Sequence, residues 1–186
     1  LLRRGDYIGA GATGALMSAT RSTGLLFAAA IVIAALQNHV RDGGRGRDFF
    51  LTLWKRTDLL LAVALVPIGV TLFAAYLYVH SGDALAFVHI QRAWGRAFAN
   101  PFWNLWLALS AQFNAGNYST ISTDLAFGLA SIAGMALSAV MAWRGKWDWA
   151  MFSLFGVLLP LSTNTYSMVR FVIGLAPVLI IGADLI

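Results

Sequence analysis

Leu59–Val79 reads LLLAVALVPIGVTLFAAYLYV, and this stretch decides the fold. It carries no charge and is long enough to cross a hydrocarbon layer of roughly 30 Å as a helix. Leu125–Trp143, LAFGLASIAGMALSAVMAW, repeats the pattern. Around them lies a chain of 186 residues with 59% hydrophobic and 11% charged side chains. An ordinary soluble domain carries about 25% charge, so too little polar surface exists to keep a compact body wetted. A soluble enzyme, a secreted disulfide scaffold and a disordered chain are excluded. The expected fold is all-α, a polytopic integral membrane helical bundle.

Charge gives the topology. Lys and Arg number 13 against 8 acidic residues, all Asp, for a net charge of +5. On a membrane protein such an excess marks loops facing an anionic leaflet. The basic residues gather at Arg3–Arg4, at Arg41, Arg45, Arg47, Lys55 and Arg56, and at Arg144 and Lys146. Short basic loops stay cytoplasmic, which puts all three on one side. The span 59–79 then runs outward, 80–124 is an outer segment, and 125–143 returns. There is no cysteine, so disulfides, thiolate metal sites and Cys nucleophiles are excluded. The chain opens on Leu1-Leu2-Arg3-Arg4 and ends at Ile186, three residues after an apolar run; the expectation is an internal piece of a longer protein, a single transmembrane domain over 1–186.

The flanking regions carry paired short apolar arms. Tyr7–Ala19 and Gly24–Leu36 surround Thr20-Arg21-Ser22-Thr23. At 1.5 Å per residue each arm reaches only about 20 Å, yet both outer flanks are basic. A short helical hairpin over 5–40 with Arg21 at its tip fits better than one broken span with Arg21 mid-membrane. Trp149–Leu161 and Phe171–Ala183 repeat the architecture over 148–186, with Ser162–Arg170 between them and Pro160 and Pro177 expected to bend the arms. In the outer segment, Asp83–Arg96 places Phe87, Ile90 and Trp94 at i, i+3 and i+7, with Arg92 and Arg96 on another face. That predicts an interfacial amphipathic helix. Asn100–Gln112, with Phe102, Trp103 and Trp106, suits a headgroup-level belt or a partial insertion; periodicity does not decide. Gly43-Gly44-Arg45-Gly46 reads as a flexible linker.

Several motifs have plain readings. Gly9-Ala10-Gly11-Ala12-Thr13-Gly14 matches a dinucleotide fingerprint, but no strand precedes it and no acidic residue follows at the needed distance. Close helix approach through small residues explains it better, as it does Ala130 and Gly134. His80, Asp83 and His89 fit no strong metal template; no metal site or cofactor is expected. Asp83 and Asp124 read as helix N-caps, and His39 as structural. Asn117-Tyr118-Ser119 is a glycosylation sequon in a eukaryotic secretory setting.

The informative residue is Arg21. An Arg at a membrane edge is costly unless paired, and its planar fork suits a phosphate. Arg170 stands at the corresponding position of the second hairpin, with Tyr166 one turn earlier. Together with Arg92 and Arg96, these residues form the candidate substrate site, suited to an anionic lipid headgroup.

Ala19-Thr20-Arg21-Ser22-Thr23-Gly24-Leu25 resembles the TR-x-TG turn of mannosyltransferases related to the second GPI mannosyltransferase, the PIG-V-like family. Gly82-Asp83-Ala84-Leu85-Ala86-Phe87, followed by Gln91-Arg92-Ala93-Trp94-Gly95, resembles that family's outer segment, and Ser167-Met168-Val169-Arg170-Phe171 its S-x-x-R-aromatic element. The resemblance implies a membrane glycosyltransferase of the GT-C superfamily. Such an enzyme moves a sugar, typically mannose, from a polyprenyl-phosphate donor to a lipid or glycan acceptor on the non-cytoplasmic face. The family's catalytic Asp is expected before this region, leaving this chain with the lipid-phosphate-binding part. Scarce Lys and absent Glu point to a bacterial plasma membrane, with the endoplasmic reticulum as the eukaryotic counterpart. A transporter or flippase, or a non-catalytic membrane subunit, is the alternative; paired short hairpins with polar breaks also occur there.

Overall fold

The computed structural model describes residues 1–93, 98–114, 122–166 and 168–185. Among these residues the chain is helical and contains no strand. It divides into two compact units, 1–90 and 91–186, each with its own core.

The first unit contains α1 (Tyr7–Thr20), α2 (Phe27–Arg41), α3 (Gly46–Thr52) and α4 (Thr57–Ser81), and ends within α5 (Ala86–Ala93). Asp6 caps α1, its Oδ1 accepting the Gly9 N–H at 2.9 Å. Arg21 ends α1 in an extended conformation, and a 3₁₀ turn over Ser22–Leu26 leads into α2. Near the end of α2, Asn38 Nδ2 donates to Leu2 O and to Tyr7 Oη, both at 3.0 Å. The two helices therefore meet at their basal ends, opposite Arg21.

α1 and α4 run parallel and very close. A methyl on Gly11 would come within 2.5 Å of the Ala62 carbonyl, one on Gly14 within 2.7 Å of Val66, and one on Gly69 within 1.8 Å of the Ala15 carbonyl. The glycine run of α1 is thus a packing face, as its residues predicted.

The second unit contains α6 (Pro101–Asn114), α7 (Thr123–Trp143), α8 (Trp147–Leu161), α9 (Met168–Ile173) and α10 (Ala176–Ala183). A tight turn joins α7 to α8. Gly145 has φ +71°, and Lys146 N–H donates to Met141 O while Gly145 N–H donates to Ala142 O. α8 returns antiparallel to α7: Val157 and Val172 pack on Gly134, and Ser153 lies against Met141. Asp184, just beyond α10, comes back to 3.9 Å from Arg144 and 3.8 Å from Lys146.

Polarity is distributed as in a membrane bundle. Ser18, Ser131, Ser138 and Ser153 are buried, while Leu61, Leu72, Val79, Leu129, Ile132 and Leu159 are exposed. Small hydroxyl residues let helices approach closely, their protons returning to carbonyls such as Phe127 O and Gly134 O. Among the described residues three helices are long and apolar enough to cross a membrane: Thr23–Arg41, Thr57–Ser81 and Thr123–Trp143, of 19, 25 and 21 residues.

Several expectations change. The arm taken as Gly24–Leu36 continues to Arg41, because Asn38 finds partners inside the unit and does not end the helix. Residues 43–46, expected as a flexible linker, form an ordered helix stop. Gly43 has φ +88°, Gly44 N–H donates to His39 O, Gly43 N–H donates to Val40 O, and Gly46 already begins α3. Ser122, not Asp124, caps α7. The arm Phe171–Ala183 is interrupted between α9 and α10, and Pro177 lies in the first turn of α10, where its missing N–H is harmless.

Candidate functional site

Arg21 is placed by its neighbours. Its N–H donates to Met17 O at 3.0 Å, and its carbonyl accepts the Gly24 N–H at 2.8 Å. Gly24 permits the turn: a methyl there would lie 2.5 Å from the Met17 and Ser18 backbone. The Arg21 side chain is exposed.

The depth of this turn follows from the parallel packing. Ser18 bonds to Val66 O and Val70 N, so Arg21, three residues on, is level with about Phe73. α4 continues to Ser81, about 12 Å farther at 1.5 Å per residue. The Arg-bearing turn therefore sits beside apolar helix, short of the end of α4.

The second unit repeats this relationship. Val157 lies on Gly134, so Ser162 at the end of α8 is level with about Leu129, roughly 9 Å inside the start of α7. α6 reaches the same turn. Ala108 and Leu109 pack on Gly128, and Gln112 Oε1 accepts the Ser122 N–H at 2.7 Å, so α6 runs antiparallel along α7. At its other end Asn104 Nδ2 donates to Leu161 O at 2.8 Å and Ala99 N–H to Ser162 O at 2.7 Å. Asn100–Gln112 is thus packed lengthwise on α7.

Tyr166 is exposed, and its N–H donates to Asn164 Oδ1 at 3.1 Å. It precedes α9 and is not part of the helix carrying Arg170. Arg170 is exposed, its guanidinium 5.9 Å from the centre of the Phe171 ring. Arg21 belongs to the first unit, and Tyr166 and Arg170 to the second. Arg92 lies in α5, its side chain outside the described residues; Arg96, Trp94, Ser167 and the sequon at 117–119 also lie outside them.

One pairing escaped the sequence reading. Asp83 Oδ2 and His89 Nδ1 are 2.7 Å apart, joining the turn after α4 to α5, and Asp83 Oδ1 accepts the Leu85 N–H at 2.9 Å. The His89 contact, then the Leu85 N–H, holds the Asp83 carboxyl below its ordinary range. The helix runs over Ala86–Ala93, later than the expected start, with Asp83 ordering the turn before it. His80 turns away, its Nδ1 2.9 Å from Tyr76 O and its ring 4.1 Å from that of Tyr76. Among the described residues no group of three or more His or Asp side chains could hold a metal ion. The i, i+6 spacing of Asp83 and His89 was the available signal, but it matches no regular helical neighbour distance.

No family model, no curated protein and no solved structure matches the chain.

Proposed function

We propose that this chain forms the lipid-phosphate-binding part of a GT-C-type membrane glycosyltransferase. Its substrate is a polyprenyl-phosphate sugar, with mannose the sugar the resemblance favours, and its acceptor a lipid or glycan hydroxyl on the non-cytoplasmic face. One observation carries the reading: Arg21 stands in a polar helix break beside apolar helix, about 12 Å short of the end of α4. A phosphate attached to a long hydrocarbon chain needs a cation at such a depth, with apolar surface for its tail. The exposed Leu72 and Tyr76 of α4 offer that surface.

In the reaction, the acceptor oxygen attacks the anomeric carbon and the bond to the phosphate oxygen breaks. The phosphate leaves with the electron pair. The acceptor proton passes to a carboxylate acting as general base. Arg21 stabilises the charge growing on the leaving phosphate. No step requires a metal held by this region.

Cysteine accessibility tests the proposal, since the chain has no cysteine of its own. Thr23→Cys, Thr163→Cys and Ser81→Cys in the intact protein are treated from outside with a membrane-impermeant thiol reagent. The expected result is labelling of all three, with polyprenyl phosphate slowing Thr23→Cys but not Ser81→Cys. Labelling of Ser81→Cys alone, with no effect of the lipid, overturns the proposal and favours the transporter alternative.

A further inference from the structure

We propose that Gly46–Lys55 is an amphipathic membrane-surface element that docks on anionic phospholipid headgroups, holding the turn between α2 and α4 against the bilayer. This reading is independent of the glycosyltransferase proposal. The segment is α3 followed by a 3₁₀ turn over Leu53–Lys55. One face is fixed inward: Phe49 is buried, its ring 5.7 Å from that of His39 on α2. Leu53, four residues on, packs against the same core.

The opposite face is exposed, the Phe50 ring standing edge-on to that of Phe49 at 5.6 Å. Phe50, Leu51 and Trp54, at i, i+1 and i+4, fall on one side of a helix; Trp54 is 78% exposed and Leu51 69%. Arg45, Arg47 and Lys55 border this face. All three are exposed, and none forms an ion pair among the described residues. Arg56 differs, being paired with Asp58 at 3.0 Å. Acidic side chains are fewer here, Asp42 and Asp48.

An exposed aromatic and aliphatic face bordered by unpaired cations matches the chemistry of an anionic headgroup layer. Connectivity favours the same partner. The segment is tied at one end to Thr23–Arg41 and at the other to Thr57–Ser81, both long and apolar enough to cross a membrane. Trp54 is three residues from the start of α4, so it is within reach of the headgroup layer if α4 spans. The ordered stop at Gly43 and Gly44, with Gly44 against the His39 ring, sets the entry to α3.

The test uses Leu51→Cys in the intact protein, in an otherwise cysteine-free background, labelled with an environment-sensitive fluorophore. Nanodiscs of phosphatidylcholine alone are compared with nanodiscs containing about one third phosphatidylglycerol. Quenching by nitroxide-bearing lipid reports contact with the bilayer, and quenching by acrylamide, which is neutral, reports contact with water. In anionic nanodiscs the expected result is strong lipid quenching and weak acrylamide quenching. In phosphatidylcholine, and for the same label with Arg45→Gln, Arg47→Gln and Lys55→Gln in anionic nanodiscs, the balance should shift toward acrylamide by several-fold. Removing one surface cation weakens such attraction by about fivefold. Strong acrylamide quenching in both lipids overturns the docking. Equal lipid quenching in both, unmoved by the triple substitution, overturns the headgroup selectivity. A retained thermal transition in detergent for the triple variant separates loss of docking from misfolding.

Discussion

The Ser18 hydroxyl accepts the Val70 N–H at 3.2 Å across 52 residues of sequence, and it also reaches Val66 O. Val66 and Val70 are the two ends of one helical turn of α4, the turn that contains Pro67. Pro67 lacks the N–H that Val63 O would accept and its ring crowds that carbonyl, while Ser18 bridges Val66 O and the Val70 N–H farther along the same helix. Gly69 makes the approach possible, because a methyl there would lie 1.8 Å from Ala15 O. The glycine and the serine together hold α1 beside α4 and so set the level of Arg21 along it.

Ser18→Ala should therefore destabilise the first unit by about 1–3 kcal/mol, the cost of a buried polar group left without its partner. Gly69→Ala should cost more, since its clash is with backbone and cannot be relieved by a rotamer change. Thermal or denaturant unfolding in detergent would measure both. A Gly69→Ala variant as stable as the wild type would contradict the close packing of α1 on α4.

Glycine substitutions elsewhere should separate by environment. Gly11→Ala meets the Ala62 backbone, whereas Gly182→Ala on α10 meets nothing within 4 Å. The first should be strongly destabilising. The second should be neutral or stabilise by up to about 1 kcal/mol, because alanine has the better helix propensity. The same unfolding assay gives the contrast.

The Asp83–His89 contact has a defined pH dependence. The Asp83 carboxyl is held below its ordinary value, chiefly by His89. Its contribution is thus present above the ordinary carboxylate range and lost as pH falls through the lowered native value. Carbon-13 titration of the Asp83 carboxyl should show its midpoint rising toward the ordinary value in His89→Ala. An unmoved midpoint would mean that the pair does not form in solution.

On the proposed function, Arg21→Ala should raise KM for the polyprenyl-phosphate sugar by about 10–100-fold, the range for lost hydrogen bonds to a charged group. Arg21→Lys should retain the charge and lose the two-pronged fit, giving a smaller effect. Sugar transfer from varied concentrations of the donor is the readout. Wild-type kinetics for Arg21→Ala would remove Arg21 from the donor site.

The sequence by itself determined the helical class, the long apolar helices covering Leu59–Val79 and Leu125–Trp143, and the break at Arg21. Each is set by local composition: an uncharged run favours a helix in an apolar layer, and Thr20–Thr23 interrupts one. The glycines of α1 were also legible as a packing face, because spacing alone aligns them. Their partners were not. Which helix fills the groove of Gly11 and Gly14 depends on Ala62, Val66 and Gly69 arriving from some 50 residues away. The same holds for α2, which continues to Arg41 because Asn38 meets Leu2 and Tyr7, and for α6, whose Asn104 meets Leu161. Phe49 and Trp54 differ in burial though both are large and aromatic, because Phe49 is packed against His39 of α2 while Trp54 is turned to the outside. Local sequence sets where a helix can form, but its exposed face and its depth are set by long-range partners, and these only the tertiary structure decides.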